Sequence, residues 1–187
     1  MALQRYTIDG YGQIELNNVA FRRDGRIEAQ CALDPTDFAT VPAENGMLLA
    51  VDNVNRVVKF AEDATLPIAL NYSAEHMYDE RTVGLKDFKL GLEDGFYPRL
   101  GYLAVGDKFT TNCLSYDSAS DSTWTGDEAV ATALDAIGTT PVYGGIAADG
   151  SIKLSATKPS AGPVLLVVEK TTMPDGQLGV KFQVLTA

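Results

Sequence analysis

The stretch Val164-Leu165-Leu166-Val167-Val168-Glu169-Lys170, followed by Met173-Pro174-Asp175-Gly176 and then Gly179-Val180-Lys181-Phe182-Gln183-Val184-Leu185, decides the fold class. Val180, Phe182 and Val184 alternate with Lys181 and Gln183, the period of a strand with one apolar and one polar face. The Asp-Gly pair between the two runs supplies the positive φ that a tight turn requires. The reading is a β-hairpin.

The same punctuation recurs along the chain at Asp9-Gly10, Asp24-Gly25, Asn45-Gly46, Asp94-Gly95 and Asp149-Gly150. Val19-Ala20-Phe21 and Ile27-Glu28-Ala29-Gln30-Cys31 flank Arg22-Arg23-Asp24-Gly25 and predict a hairpin. Gly46 to Val51 and Arg56 to Phe60 flank Asp52-Asn53-Val54-Asn55 and predict another. Val142 to Ala147 and Ser151 to Leu154 flank Asp149-Gly150 and predict one more. Short strands at turn-marked intervals predict an all-β or mostly β chain: a single-domain β-sandwich or small β-barrel.

One helix interrupts this pattern. Thr125-Gly126-Asp127-Glu128 leads into Ala129-Val130-Ala131-Thr132-Ala133-Leu134-Asp135-Ala136-Ile137 and then Gly138. Thr125 or Asp127 suits the cap, Gly138 the stop, and Val130, Ala133, Leu134 and Ile137 share one face. Ser115 to Ser122 is rich in Ser and Asp and reads as an exposed loop. Residues 114–140 therefore read as a loop-helix insertion, with a short helix near 125–138, in a β-rich domain over 17–187. Residues 1–16 carry Tyr6, Ile8, Tyr11 and Ile14 and read as an N-terminal arm or an edge strand.

Composition narrows the function. The chain has 187 residues, enough to bury a core without staples, and its 45% hydrophobic and 21% charged residues are globular values. The net charge is −10, and no dense basic cluster exists; Arg22-Arg23 and Arg26 come nearest and Asp24 interrupts them. This balance argues against nucleic acid and against anionic membranes as partners. It serves solubility or complementarity to a basic partner surface. Cys31 and Cys113 are far apart, lie in apolar runs and read as buried free thiols. Met1 to Tyr6 has no apolar core of signal-peptide length, and no apolar run approaches a membrane span, so the chain reads as made in a cytoplasm.

The search for chemistry finds no catalytic residue, cofactor or metal site. His76 is the one histidine, so a triad or a metal site lacks partners; it reads as a loop residue. No Gly-x-Ser-x-Gly elbow accompanies it, and neither Cys31 nor Cys113 has a catalytic signature. Asp34, Asp37, Glu44, Glu62, Asp63, Asp79 and Glu80 offer carboxylates for a glycosidase pair or for calcium, but Asp52-Asn53-Val54-Asn55 lacks EF-hand spacing. The Asp117 to Asp121 stretch resembles a calcium loop only in composition. Gly10-Tyr11-Gly12 and Gly144-Gly145 lack the residues that complete a phosphate cradle. Trp124 is a core anchor or, if exposed, an interface hot spot. Tyr72, Tyr78, Phe88, Phe96, Tyr97 and Tyr102 fill a β core or stack on a glycan.

Several phrases carry a resemblance: Asn45 to Asp52, Leu66-Pro67-Ile68-Ala69-Leu70-Asn71-Tyr72-Ser73-Ala74-Glu75-His76, Asp79-Glu80-Arg81, Leu85-Lys86-Asp87-Phe88, Tyr97-Pro98-Arg99-Leu100 and Val105 to Asn112. Over roughly residues 45–113 and the C-terminal strands the chain resembles small virion proteins of tailed bacteriophages, above all head decoration (capsid cement) proteins. The resemblance implies a non-enzymatic β-rich protein on the outside of a capsid, bound to the major capsid protein and self-associating on the particle. Its site is then an interface, for which Arg5, Tyr6 and Tyr11 of the arm, the loop from Tyr78 to Arg81, and Trp124 are the candidates. Residues 114–140 depart from the resemblance. A tail-tube or fibre/adaptor component, and a carbohydrate-binding domain using Trp124, are the alternatives.

Overall fold

The computed structural model describes residues 3–61, 65–73, 89–118 and 124–187. In chain order its strands are β1 (Gln4–Arg5), β2 (Ile14–Asn18), β3 (Ile27–Glu28), β4 (Ala32–Leu33), β5 (Ala43–Glu44), β6 (Leu48–Asp52), β7 (Val57–Phe60) and β8 (Ile68–Asn71). There follow β9 (Lys89–Leu90), β10 (Leu100–Gly101), β11 (Lys108–Thr111), β12 (Leu114–Tyr116), β13 (Tyr143–Ile146), β14 (Ile152–Ser155), β15 (Val164–Thr172) and β16 (Leu178–Thr186). The helices are α1 (Ala20–Asp24) and α2 (Asp127–Asp135), with a 3-10 turn at Leu92–Asp94. The chain is mostly β, as its turn-marked strands predict.

An eight-stranded sheet runs β1-β12-β14-β13-β15-β16-β11-β2 and a six-stranded sheet runs β3-β10-β8-β6-β7-β4. A small ribbon pairs β5 with β9. Within the large sheet only β12 and β14 are parallel; within the six-stranded one, only β4 and β7. β1 and β2 are the two edges of the large sheet, yet Arg5 of β1 and Gly12, just ahead of β2, bind the same Glu44 oxygen. The sheet is thus open in its hydrogen bonding but curls until its edges approach, as strand twist allows.

Three of the hairpins form as their patterns predict. β15 and β16 pair from Val164↔Thr186 to Thr172↔Leu178, β6 and β7 pair Asp52↔Val57, and β13 and β14 pair Ile146↔Ile152. The predicted hairpin over Val19–Cys31 does not form. Ala20–Asp24 is a helical turn closed by Gly25 in the left-handed conformation at φ 69°. The same Asp-Gly conformation serves a helix C-terminus as well as a hairpin. Here the Asp107 carboxylate accepts the Ala20 N–H at 2.8 Å, and fully buried Phe21 packs on Tyr72 with ring centroids 4.9 Å apart. A Cβ on Gly101 would collide with the Phe21 ring, so this contact needs glycine.

Two cores share β6, whose residues are all buried. Leu48 joins Leu70, Phe109, Leu114, Ile152, Leu165 and Phe182 between the large sheets. Leu49 and Val51 join Met47, Val58, Ala69 and Leu100 on the other face. Consecutive residues of a strand point to opposite faces, so an uninterrupted apolar run fills two layers.

Residues 114–140 are less separate than their composition predicts. β12 is wholly buried and pairs with both β1 and β14, so Ser115 and Tyr116 belong to the sheet and not to an exposed loop. α2 sends Val130 and Leu134 into the main core, with Ala133 and Ile137 against it. Its caps differ from expectation: extended Gly126 precedes it without a side-chain cap, and Ala136 ends it through its N–H to the Ala133 carbonyl. Thr139 and Thr140 donate to the Ala136 carbonyl at 2.9 Å, which turns the chain without help from Gly138.

Candidate functional site: a buried polar seam and an aromatic loop

Polar side chains gather where the N-terminal segment crosses the two sheets. Arg5 donates to Glu44 Oε2 at 2.9 Å and approaches Cys113 Sγ at 3.6 Å. Asn71 Nδ2 donates to the Glu44 carbonyl at 2.8 Å. Gln13 N donates to Asn112 Oδ1 at 2.7 Å, and the Thr111 hydroxyl donates to the Gln13 carbonyl at 2.6 Å. Ser151 Oγ donates to Asp149 Oδ1 at 2.5 Å and lies 2.6 Å from Ser115 Oγ. Buried polar groups are stable only when paired, and these are paired across segments far apart in sequence. Gly12 and Gly46 make the approach possible: a Cβ at Gly12 would strike the Asn45 carbonyl, and one at Gly46 the Thr111 hydroxyl.

The seam has the residue types of a nucleophilic site but not the electrostatics. Burial pushes the Cys113 thiol up to about 12, and neighbouring Arg5 offsets this only in part. A thiolate is the reactive form, so this thiol is inert at neutral pH. Cys31 is also buried and free, and burial raises its pKa too. Both cysteines match the sequence reading.

The described carboxylates of the acidic clusters build turns. Asp34 Oδ1 accepts the Thr36 N–H at 2.8 Å, and Asp37 Oδ2 accepts the Phe60 N–H at 2.9 Å. Asp52 accepts the N–H groups of Val54 and Asn55 at 3.1 and 2.9 Å. Among the described residues no group of three or more His, Cys, Asp or Glu is placed to hold a metal ion. Glu62, Asp63, His76, Asp79, Glu80, and the candidate contacts Tyr78 and Arg81, lie outside the described residues.

The other candidate contacts divide. Tyr6 is 3% exposed and meets Tyr116 edge-on at 6.3 Å, so it is a core residue and not part of a free arm. Trp124 is likewise 3% exposed, in the core that also holds Val130 and Leu134, which removes it as an exposed hot spot or glycan platform. Both are corrections with one cause: the edge pairing β1–β12 and the docking of α2 cover rings that local sequence leaves undecided. Arg5 is spent on Glu44. Tyr11 remains half-exposed, with Lys89 Nζ 4.6 Å above its ring and donating to its hydroxyl at 2.9 Å.

Tyr11 lines a groove of about 390 Å³ with Val41, Pro42, Lys89, Leu92 and Glu93. The chain leaves that groove through Asp94-Gly95 into Phe96 and Tyr97, 61% and 49% exposed. Single exposed apolar residues are ordinary, but an adjacent aromatic pair on a loop offers the large rigid contact area that interface hot spots use. The sequence signal was present, since Phe96 and Tyr97 lie between a turn glycine and Pro98, where no strand partner covers them. No family model, curated protein or solved structure matches the chain.

Proposed function

We propose that the chain is a non-enzymatic structural protein whose work is binding other proteins. Within that class the reading is a head decoration, or capsid cement, protein on the outside of a tailed-phage capsid. Its partner is the major capsid protein, and its neighbours on the lattice are copies of itself.

The observation that supports this reading best is the exposed Phe96-Tyr97 pair beyond the Tyr11 groove, on a rigid β framework. Cementing needs modest contacts repeated by symmetry, because avidity multiplies weak affinities. An aromatic loop on a preorganised scaffold loses little entropy when it docks. The sequence resemblance over residues 45–113 points the same way, and the acidic surface suits a basic patch on the partner.

The test is to count copies of this chain per major capsid protein in purified virions by quantitative mass spectrometry. A simple ratio, such as one to one or one to three, is the expected result. A few dozen copies per particle would move the protein to the tail or connector, and absence would end the virion reading. A paired Phe96→Ser and Tyr97→Ser variant is expected to lose particle binding while its thermal melt stays close to that of the parent.

A further inference from the structure

The basic residues of this acidic chain are unevenly placed. Arg22 and Arg23 lie on α1, Arg26 follows Gly25, and Lys108 opens β11 opposite Asn18. Between α1 and the turn before β11 is a groove of about 590 Å³ lined by Asn18, Arg23, Asp24, Arg26, Val105 and Asp107, among others. Asp107 spends both oxygens on backbone, accepting the Ala20 and Ala104 N–H groups at 2.8 Å each. Asp24 pairs with Arg23 at 2.8 Å, but with both side chains exposed, at 39% and 79%, the pair is weak. The Arg26 Nε–H is buried and has no acceptor among the described residues. Val105, 70% exposed, forms an apolar lip. Cationic walls with an apolar lip fit an acidic segment that also carries a large apolar side chain.

The chain presents such a segment. Glu93 and Asp94 end the 3-10 turn, Gly95 follows at φ 67°, and Phe96 and Tyr97 stand exposed. This segment precedes β10, whereas the groove lies beyond it. β3 runs antiparallel to β10, and the Tyr102 N–H donates to the Arg26 carbonyl at 3.0 Å, which places Arg26 at the far end of β10 from Tyr97. Segment and groove thus face away from each other within one molecule and toward each other between molecules stacked along that strand. A contact of this kind is heterologous, and its repetition makes rings or open arrays.

We infer that the Arg23–Arg26–Val105 groove of one copy receives the Glu93–Tyr97 segment of a second copy, head to tail. The inference rests on the reading of this chain as a protein-binding protein and names the surfaces of its self-association.

The experiment is sedimentation velocity on the full chain, with Arg23→Glu and Glu93→Arg as separate variants whose folding is checked by circular dichroism. The parent is expected to associate with rising concentration and to dissociate in high salt. Each variant alone is expected to associate about tenfold more weakly. An equimolar mixture of the two restores association, because reversed groove then meets reversed segment and native groove meets native segment. A monomeric parent at every concentration, single variants that associate like the parent, or a mixture no stronger than its components would each overturn the proposal. So would a groove that instead bound a duplex oligonucleotide, with loss in Arg23→Glu and no self-association. Particle binding measured below the association concentration fails separately if the capsid reading is wrong, so the two failures are distinguishable.

Discussion

The Arg5 guanidinium and the Glu44 carboxylate meet at 2.9 Å across 39 residues of chain, and the Glu44 oxygen that Arg5 reaches also accepts the Gly12 N–H at 2.6 Å. One oxygen therefore clasps both ends of the segment that joins the two edges of the large sheet. Glu44 is largely buried, with 10% of its side chain exposed against 26% for Arg5. Removing the cation by Arg5→Ala strands a carboxylate with few remaining donors. The expected cost is about 2 kcal/mol, reduced from the value for a fully buried pair by the exposure of Arg5. Urea unfolding measures it. Adding Glu44→Gln to Arg5→Ala is expected to recover part of the loss; additive losses would show that the two residues act separately.

Tyr6 tests whether the N-terminal segment belongs to the fold. It is 3% exposed, packs in the main core and extends the β1–β12 pairing by donating its N–H to the Leu114 carbonyl at 2.9 Å. Tyr6→Ala is expected to cost about 3 kcal/mol, the scale for truncating a buried aromatic ring. A melt within a degree or two of the parent would place the ring outside the core and restore the free-arm reading.

Acid sensitivity is expected at the Asp52 turn. The Asn55 backbone N–H and then its side-chain amide hold the Asp52 carboxyl below its ordinary value, against a smaller opposing effect of burial. A carboxylate whose folded pKa is depressed stabilises the fold above its unfolded pKa of about 3.9 and loses that contribution as pH falls through the folded value. Stability measured from pH 5 down to pH 2 is expected to fall less steeply in Asp52→Asn than in the parent. Equal slopes would remove Asp52 from the account.

The Cys113 thiol makes the opposite prediction. With its folded pKa pushed to about 12, the native thiol stays protonated where the unfolded one, at about 8.5, has ionised. The unfolded state then binds fewer protons, so this group lowers stability as pH rises from about 8.5 toward 12. Native protein is expected to resist a thiol-alkylating reagent at pH 8 for as long as it stays folded, and to react at once in denaturant. Rapid native labelling mapped to Cys113 would show the seam to be open.

Strand pairs of short range were legible, because alternation and a turn dipeptide both act within a dozen residues. Val180 to Val184 and Asp149-Gly150 read correctly for that reason. Arg22-Arg23-Asp24-Gly25 read wrongly because an Asp-Gly step fits a hairpin turn and a helix end equally, and the deciding partner, Asp107, lies more than eighty residues away. Of the candidate contacts, Tyr11 kept its exposure, whereas Tyr6 and Trp124 went inside. An aromatic ring with a polar edge suits either place, and nothing in its neighbours along the chain says which.

By itself the sequence determined the β class, the principal hairpins, the apolar face of α2, the acidic balance and the two buried free thiols. Each follows from periodicity, turn chemistry or composition, which are local or additive properties. Tertiary structure alone decided the strand order, the curling of the large sheet around Glu44, the burial of Tyr6 and Trp124, and the separation of the Glu93–Tyr97 segment from the Arg23–Arg26 groove. Those depend on contacts between residues tens of positions apart, whose free energy exists only once the chain has closed on itself.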